Sequence, residues 1–199
     1  MAKQKLVQTD LSTAYQMFLE RPSAESFAIV RRRLLARKDF ERDSFQLERL
    51  ADLCRDEDFD EAIDLTEQVF DLWCLSPRYH FLCGHLWEQL DRPEEVDLAR
   101  FQFETCLEGL LSSGTGEFDA PFQILRVCDE YDLLEAQGRR ALCQRSVDRY
   151  GMCLDVITCV GGAEVWFDTG LRVTDAKTRF RYDTAERINR ISTVATFRP

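Results

Sequence analysis

The stretch MCLDVITCVGGAEVWFDT, residues 152–169, decides the fold of the second half of the chain. Branched and aromatic side chains lie on both sides of the central Gly161-Gly162 pair, and their spacing is typical of strands. Because both glycines can adopt positive φ without steric cost, a two-residue turn between antiparallel strands is expected. The sequence therefore predicts a hairpin that packs one face against helices, and it assigns to that face Leu154, Val156, Thr158, Val160, Val165 and Phe167.

The same turn predicts a candidate ligand-binding face on the other side of the hairpin. A two-residue turn places Asp155 directly across from Asp168, and Trp166 lies on the same face. Gln144 joins them if the DRYG segment, residues 148–151, closes as a four-residue loop. Two carboxylates in that position repel each other, so an arginine, a cation, a partner's donor or a shared proton is expected to relieve them. The alternative is a solvated outer face on which water screens both charges.

A glycine-punctuated segment, SSGTGEFDAPFQILRVCDEYDLLEAQG at residues 112–138, precedes these strands. Its pattern predicts a helix end and a turn-rich loop, a strand over 121–127, and a helix over 129–138 that is capped by Gly138. A phosphate-binding loop needs a strand before it and a helix after it, and here that order is reversed. We therefore interpret the segment as a junction loop, and the next strand is predicted over 141–147.

The first half of the chain has apolar residues at helical spacing and is predicted to be all helix. Two segments within it, DFDEAIDLTEQVFDL (58–72) and VDLARFQFETCLEGL (96–110), place Ala62 and Ala99 three residues after an apolar side chain. A small residue at that position lets two antiparallel helices pack closely, as in tetratricopeptide units. Two degenerate repeats of that kind are expected.

The segment WCLSPRYHFLCGHLW, residues 73–87, brings His80, Cys83 and His85 close together along the chain. His80 and Cys83 share a helical face, but His85 points away from them, and no fourth ligand has zinc-like spacing. The histidines are therefore interpreted as helix residues among aromatic side chains. No metal, no cofactor and no catalytic set is predicted.

The composition limits the classes of partner. The 199 residues carry a net charge of −10, and phosphate binding requires a positive surface, so nucleic acid is not expected. Residues 171–199 contain seven basic and three acidic side chains, and Asp183 and Glu186 predict a capped helix there. That basic tail folds back on the acidic body, is simply solvated, or reaches for an acidic partner. No apolar run is long enough for a signal peptide or a membrane helix, so we expect a cytoplasmic protein with eight reduced cysteines and no membrane partner.

The second half resembles an uncharacterised bacterial family, domain of unknown function 4919. The resemblance covers roughly residues 25–170 and rests on the loop, the acidic Glu-Tyr helix, a glutamine and a hairpin that ends in Phe-Asp. Thr115 stands where the family pattern has an acidic residue. The resemblance implies a helical first part followed by a loop, a strand, a helix and a hairpin, and it implies no activity. The matching positions are Ser113, Gly114, Gly116, Glu130, Tyr131, Gln144, Asp155, Phe167 and Asp168.

These observations predict an α+β fold. Antiparallel, tetratricopeptide-like helical hairpins (1–111) precede a small antiparallel sheet with one helix (112–170) and a basic extension (171–199). The leading functional interpretation is a non-enzymatic protein–protein interaction or accessory module. The alternative is an enzyme, or a small-ligand or metal binder, that uses the paired-carboxylate face. A third interpretation is an acidic body that neutralises a basic partner.

Overall fold

The computed structural model describes residues 10–41 and 45–172, with the backbone alone for 171 and 172. The helix expected at Asp183 and Glu186 lies outside the described residues. Within them, no helix is long and apolar enough to cross a membrane. The predicted α+β class is confirmed. The elements are α1 (Leu11–Glu20), α2 (Ala24–Leu35), α3 (Gln46–Arg55), α4 (Phe59–Trp73), α5 (Pro77–Gln89), α6 (Pro93–Ser112), β1 (Phe122–Gln123), α7 (Val127–Ala136), β2 (Ala141–Arg149), β3 (Met152–Cys159) and β4 (Glu164–Arg172).

Capping side chains and prolines mark where several helices begin. The side-chain oxygens of Asp10 and Ser23 each accept a hydrogen bond from the backbone N–H three residues further on, at the starts of α1 and α2. Pro77 and Pro93 lie in the first turns of α5 and α6, where a missing N–H leaves no helical hydrogen bond unmade. The starts of these helices are therefore encoded locally.

Helices α3 to α6 form two antiparallel hairpins that share one apolar cluster. Ala62 lies in α4 and Ala99 in α6, so each is in the second helix of its hairpin, and both are buried. An alanine there lets the helices approach closely. The cluster also contains Leu47, Leu50, Leu53, Leu65, Val69, Trp73, Tyr79, Leu82 and Leu86.

The four strands form one sheet in the order β1-β4-β3-β2. β1 runs parallel to β4, and the other neighbours are antiparallel. Arg149 pairs with Met152, so β2 and β3 are joined by two residues, Tyr150 and Gly151, with φ of 51° and 79°. Positive φ at both positions is the backbone geometry of a tight hairpin turn. The four-residue DRYG loop is therefore not formed, and β2 is two residues longer than predicted.

The predicted register of the second hairpin is wrong by one residue. Asp155 pairs with Phe167, and Leu154 pairs with Asp168. The reason lies in the turn, because the Val160 N–H donates 2.8 Å to the carbonyl of Arg140 beside β2 rather than across the hairpin. Cys159 N then bonds to Ala163 O at 2.8 Å, so the loop contains three residues and not two.

The predicted helix-facing side of the hairpin is right for β4 and wrong for β3. Val165 and Phe167 of β4 join one apolar cluster with residues of the helices, as expected, but β3 contributes Ile157 to it. Leu154 and Val156 are buried on the opposite face of the sheet. Val160, which the two-residue turn assigned to the inner face, is exposed. The helical partners in this cluster include Tyr15, Phe18, Phe27, Val30, Leu34, Leu110, Leu133 and Leu134.

Buried arginines also link the helices to the second half of the chain. Arg31 of α2 donates from Nε to Ile124 O at 3.0 Å and from Nη2 to Asp168 O at 2.9 Å. Arg78 of α5 forms an ion pair with Asp132 of α7. These contacts join backbone and side chains that are far apart in sequence.

A third arginine lies at the start of α7. The guanidinium of Arg126 donates 2.9 Å to Leu72 O and lies 3.5 Å from the ring centroid of Trp73. Its backbone N–H donates to Asp129, which also accepts the N–H of Leu125. The predicted strand over 121–127 is correspondingly short, because α7 already begins at Val127. The end of α7 is as predicted: Gly138 has φ of 65°, and Arg139 N returns 2.8 Å to Leu134 O.

Candidate functional site

Five polar residues meet where α7 packs against β2 and β3, and we call them the α7–sheet polar cluster: Glu130, Tyr131, Gln144, Ser146 and Asp155. The Tyr131 hydroxyl donates to Gln144 Oε1 at 3.1 Å, and Gln144 Nε2 donates to Glu130 Oε2 at 2.9 Å. Ser146 Oγ donates to Asp155 Oδ1 at 2.6 Å. α7 supplies two of the residues, β2 two and β3 one, so only the folded chain brings them together.

Both carboxylates of this cluster are buried: Glu130 is 0% exposed and Asp155 is 4% exposed. Burial raises the pKa of Tyr131 to about 12, and the charges of Glu130 and Asp155 add to that shift. The Tyr131 hydroxyl is therefore protonated at neutral pH and donates a hydrogen bond to Gln144. The hydrogen bonds give these buried carboxylates a structural role between helix and sheet.

The structure divides the four residues of the predicted ligand-binding face between the two faces of the sheet. Gln144 and Asp155 lie on the α7 side. Trp166 and Asp168 alternate with buried Phe167 along β4 and therefore lie on the opposite side. The opposed pair of aspartates is not formed, because the three-residue loop shifts one strand against the other. That Gln144 and Asp155 bind a ligand stays a prediction.

Asp168 and Trp166 instead make contacts that hold the sheet in place. Asp168 Oδ1 accepts the Gly170 N–H at 2.7 Å and lies 3.9 Å from Arg31 Nη2. The Trp166 ring meets Phe118 edge-on, with centroids 4.9 Å apart. Because Asp155 does not lie opposite Asp168, this contact with Arg31 balances the charge of Asp168 alone.

The loop residues Ser113, Gly114 and Gly116 connect α6 to the sheet. Ser113 Oγ donates to Leu110 O at 2.7 Å and accepts the Gln123 N–H at 2.9 Å. A Cβ at Gly114 would lie 2.4 Å from Pro121 O, so no larger residue fits. Gly116, with φ of 75°, offers its carbonyl to Trp166 N at 2.9 Å. These contacts explain the glycines by close backbone packing.

His80 and His85 do not form a metal centre with Cys83. Burial lowers the pKa of His80 to about 4, and its Nε2–H donates to Cys74 O at 2.8 Å. Burial also raises the pKa of the Cys83 thiol to about 12. Within the described part of the chain, no three side chains of the metal-binding types group together.

The outer edge of the sheet is strand β2, which pairs with β3 alone among the described residues. Arg149 and Met152 flank a two-residue turn and so form a hydrogen-bonded pair, and such pairs recur at every second residue of β2. The backbone N–H and C=O groups of the residues between them, Gln144, Ser146 and Asp148, therefore point away from β3. We call this row of backbone groups the β2 edge.

The β2 edge differs in charge from the body around it. Residues 139–149 contain four arginines and one aspartate, a net charge of +3, whereas residues 1–170 as a whole carry −14. Arg139, Arg140 and Arg145 are exposed, as are the apolar side chains of Leu142 and Tyr150. Sequence analysis predicted the strand but not its place at the edge, because strand order depends on the turns and on packing.

One of the three comparisons with known proteins gives a match. A family model described as "Domain of unknown function (DUF4919)" matches residues 36–169. No curated protein matches, and no solved structure matches. The match covers the helical hairpins from the end of α2 and the sheet as far as β4.

Proposed function

We propose that this chain, which belongs to the family described as Domain of unknown function (DUF4919), is a non-enzymatic protein–protein interaction module. It docks an extended segment of its partner at the β2 edge. The observation that carries the proposal is the position of β2 at the end of the strand order, with a nine-residue length. Such a strand offers a ready row of donors and acceptors for another chain.

The surroundings of β2 support the docking of a strand. Its side chains are exposed or half-buried on both faces along its length. A bulge between Ala141 and Cys143 bends only its beginning, so the ladder from Cys143 to Arg149 is regular. An added strand would therefore meet the seven residues from Cys143 to Arg149, which is an ordinary strand length.

The helical hairpins complete the proposal as the rigid support of the sheet. Their tetratricopeptide-like character is supported by Ala62 and Ala99, which are both buried and both lie in the second helix of a hairpin. A cytoplasmic setting belongs to the proposal as well, and it is supported by eight cysteines that are all free thiols. Only Cys143 among them is exposed, and it lies on β2.

In the test, a library of random displayed peptides is selected for binding to the full chain, and the binding site of the enriched peptides is then mapped. A fluorophore on Cys143 reports binding, and amide NMR shifts locate it. We expect shifts at Gln144, Ser146 and Asp148. Asp148→Pro removes one outward N–H and leaves the ladder to β3 intact, so it should weaken binding about tenfold.

Asp148→Ala is the matched control, because it removes the same carboxylate, including its 3.1 Å contact with Gly151 N, but keeps the N–H. Binding should stay close to that of the unchanged protein. Selected peptides that bind elsewhere, or that tolerate proline at this position, would show that the β2 edge is not the docking site.

A further inference from the structure

The β2 edge has a charge that selects among partner segments. Four arginines and one aspartate lie within 139–149, and the remaining residues up to 170 are strongly acidic. Glu164 Oε1 accepts from Arg145 at 2.8 Å, which offsets one of these charges, while Arg139 and Arg140 are exposed. The β2 edge is therefore a basic stripe on an acidic protein. An added strand that carries basic side chains would be repelled by this stripe.

Building on the proposed function, we propose that the partner of the β2 edge is an acidic, extended segment of another protein. Alternate side chains of such a segment would carry carboxylates toward Arg140, Arg145 and Arg149. The other alternate positions would lie near Leu142 and Tyr150, whose exposed side chains favour apolar contacts. Backbone hydrogen bonds would give the pairing, and charge would give the choice of partner.

Two other occupants fit the charge less well. A second copy of this chain would pair one basic β2 strand with another, and the two stripes would repel. Residues 173–199 contain six basic and three acidic side chains, so their net charge of +3 has the same sign as the stripe. An acidic segment of another protein is the complementary choice.

The first arm of the test compares three synthetic peptides that alternate valine with glutamate, glutamine or lysine. Binding to the full chain is measured with a fluorophore on Cys143. At low salt we expect the Glu–Val peptide to bind about tenfold more tightly than the Gln–Val peptide, since two or three exposed ion pairs act together. That advantage should shrink as the salt rises to about 500 mM.

The second arm reverses one charge. Arg140→Glu should weaken binding of the Glu–Val peptide at least threefold, roughly the effect of losing one or two exposed ion pairs. Arg32→Glu, at an exposed arginine of α2, makes the same change in net charge away from β2 and should leave binding unchanged. If both variants weaken binding of the Glu–Val peptide equally, the net charge of the protein and not the β2 edge determines binding, and the proposal is overturned.

The outcomes separate this inference from the proposed function. Equal binding of all three peptides at the β2 edge overturns the acidic partner and leaves strand docking intact. No binding of any peptide at the edge overturns the acidic partner, and strand docking then depends on the displayed selection. If the protein is a dimer and Asp148→Pro makes it monomeric, the β2 edge binds a second copy of the chain. If the β2 amides are protected from hydrogen exchange and lose that protection when residues 173–199 are deleted, the edge binds the C-terminal tail. Either result overturns the inference.

Discussion

Two buried titratable residues have pKa values that move in opposite directions. Burial lowers the pKa of His80 to about 4, so the ring is neutral in the folded chain. Burial raises the pKa of Asp129 to about 6, although two backbone N–H groups donate to it. Each group therefore binds a different number of protons in the folded and unfolded chains at mildly acidic pH.

The signs of the two contributions follow from these shifts. Below its ordinary pKa of 6.5, His80 gains a proton only on unfolding, so its effect lowers stability as pH falls from 6.5 toward about 4. Asp129 has a raised pKa, so its favourable contribution is present below 3.8 and is lost as pH rises through about 6. The two effects oppose each other in the same pH range.

Single variants should reveal each effect in denaturant unfolding at about pH 7 and about pH 5. On acidification, His80→Gln should lose about 2 kcal/mol less stability than the unchanged protein, and Asp129→Asn about 1 kcal/mol more. The same pH dependence of stability in all three proteins would mean that neither buried group titrates as stated.

At the scale of single elements, α6 depends on a glycine for its packing. A Cβ at Gly109 would lie 2.6 Å from a ring carbon of Phe27 and 2.8 Å from one of Phe18. Both rings are fully buried and cannot move aside easily. α6 therefore accepts a poor helix former where two aromatic rings approach its backbone.

Gly109→Ala should destabilise the protein by about 1–2 kcal/mol, because the steric cost exceeds the gain in helix propensity. Chemical denaturation measures the change. Phe18→Leu makes room for the added methyl group. It should therefore lower the free energy of unfolding by less in the Gly109→Ala variant than in the unchanged protein. A rise in stability from Gly109→Ala would indicate that the rings repack without strain. Gly138→Ala, where a Cβ meets nothing within 4 Å, should cost about 1 kcal/mol through its positive φ alone.

At the scale of the whole molecule, buried polar contacts connect the helical half to the sheet half. Arg78 on α5 and Asp132 on α7 form one such pair, with side chains 8% and 9% exposed. Desolvation raises the pKa of Asp132, and the charge of Arg78 acts against that shift. Neither residue would be tolerated alone in this position, since an isolated buried charge is costly.

Arg78→Met should therefore cost about 3–5 kcal/mol of unfolding free energy, and the double variant Arg78→Met with Asp132→Leu should recover most of it. Thermal and denaturant unfolding followed by circular dichroism give both values. Arg55→Met, which breaks an exposed pair with Asp52, should cost less than about 1 kcal/mol. If the double variant were less stable than Arg78→Met, the ion pair itself would not be what holds α5 to α7.

Much of the architecture could be predicted from local pattern. Helical spacing predicted the all-helical first half, Gly138 predicted the end of α7, and the Ser-Gly loop was interpreted as a junction. The family resemblance was confirmed over residues 36–169. The common face predicted for four ligand-binding residues is not formed: Gln144 and Asp155 share a face, but Trp166 and Asp168 lie on the other one.

What the sequence determined by itself is where helices, strands and turns occur, since caps, glycines and side-chain spacing act over a few neighbouring residues. Strand register, strand order and burial were decided only by the tertiary structure. One backbone hydrogen bond from Val160 to Arg140, a residue 20 positions away, lengthened a loop and reversed which side chains of β3 face the helices, whereas β4 kept Val165 and Phe167 on that side. Such a bond competes with local turn preference only after the chain has folded, and in a strand a shift of one residue exchanges the two faces.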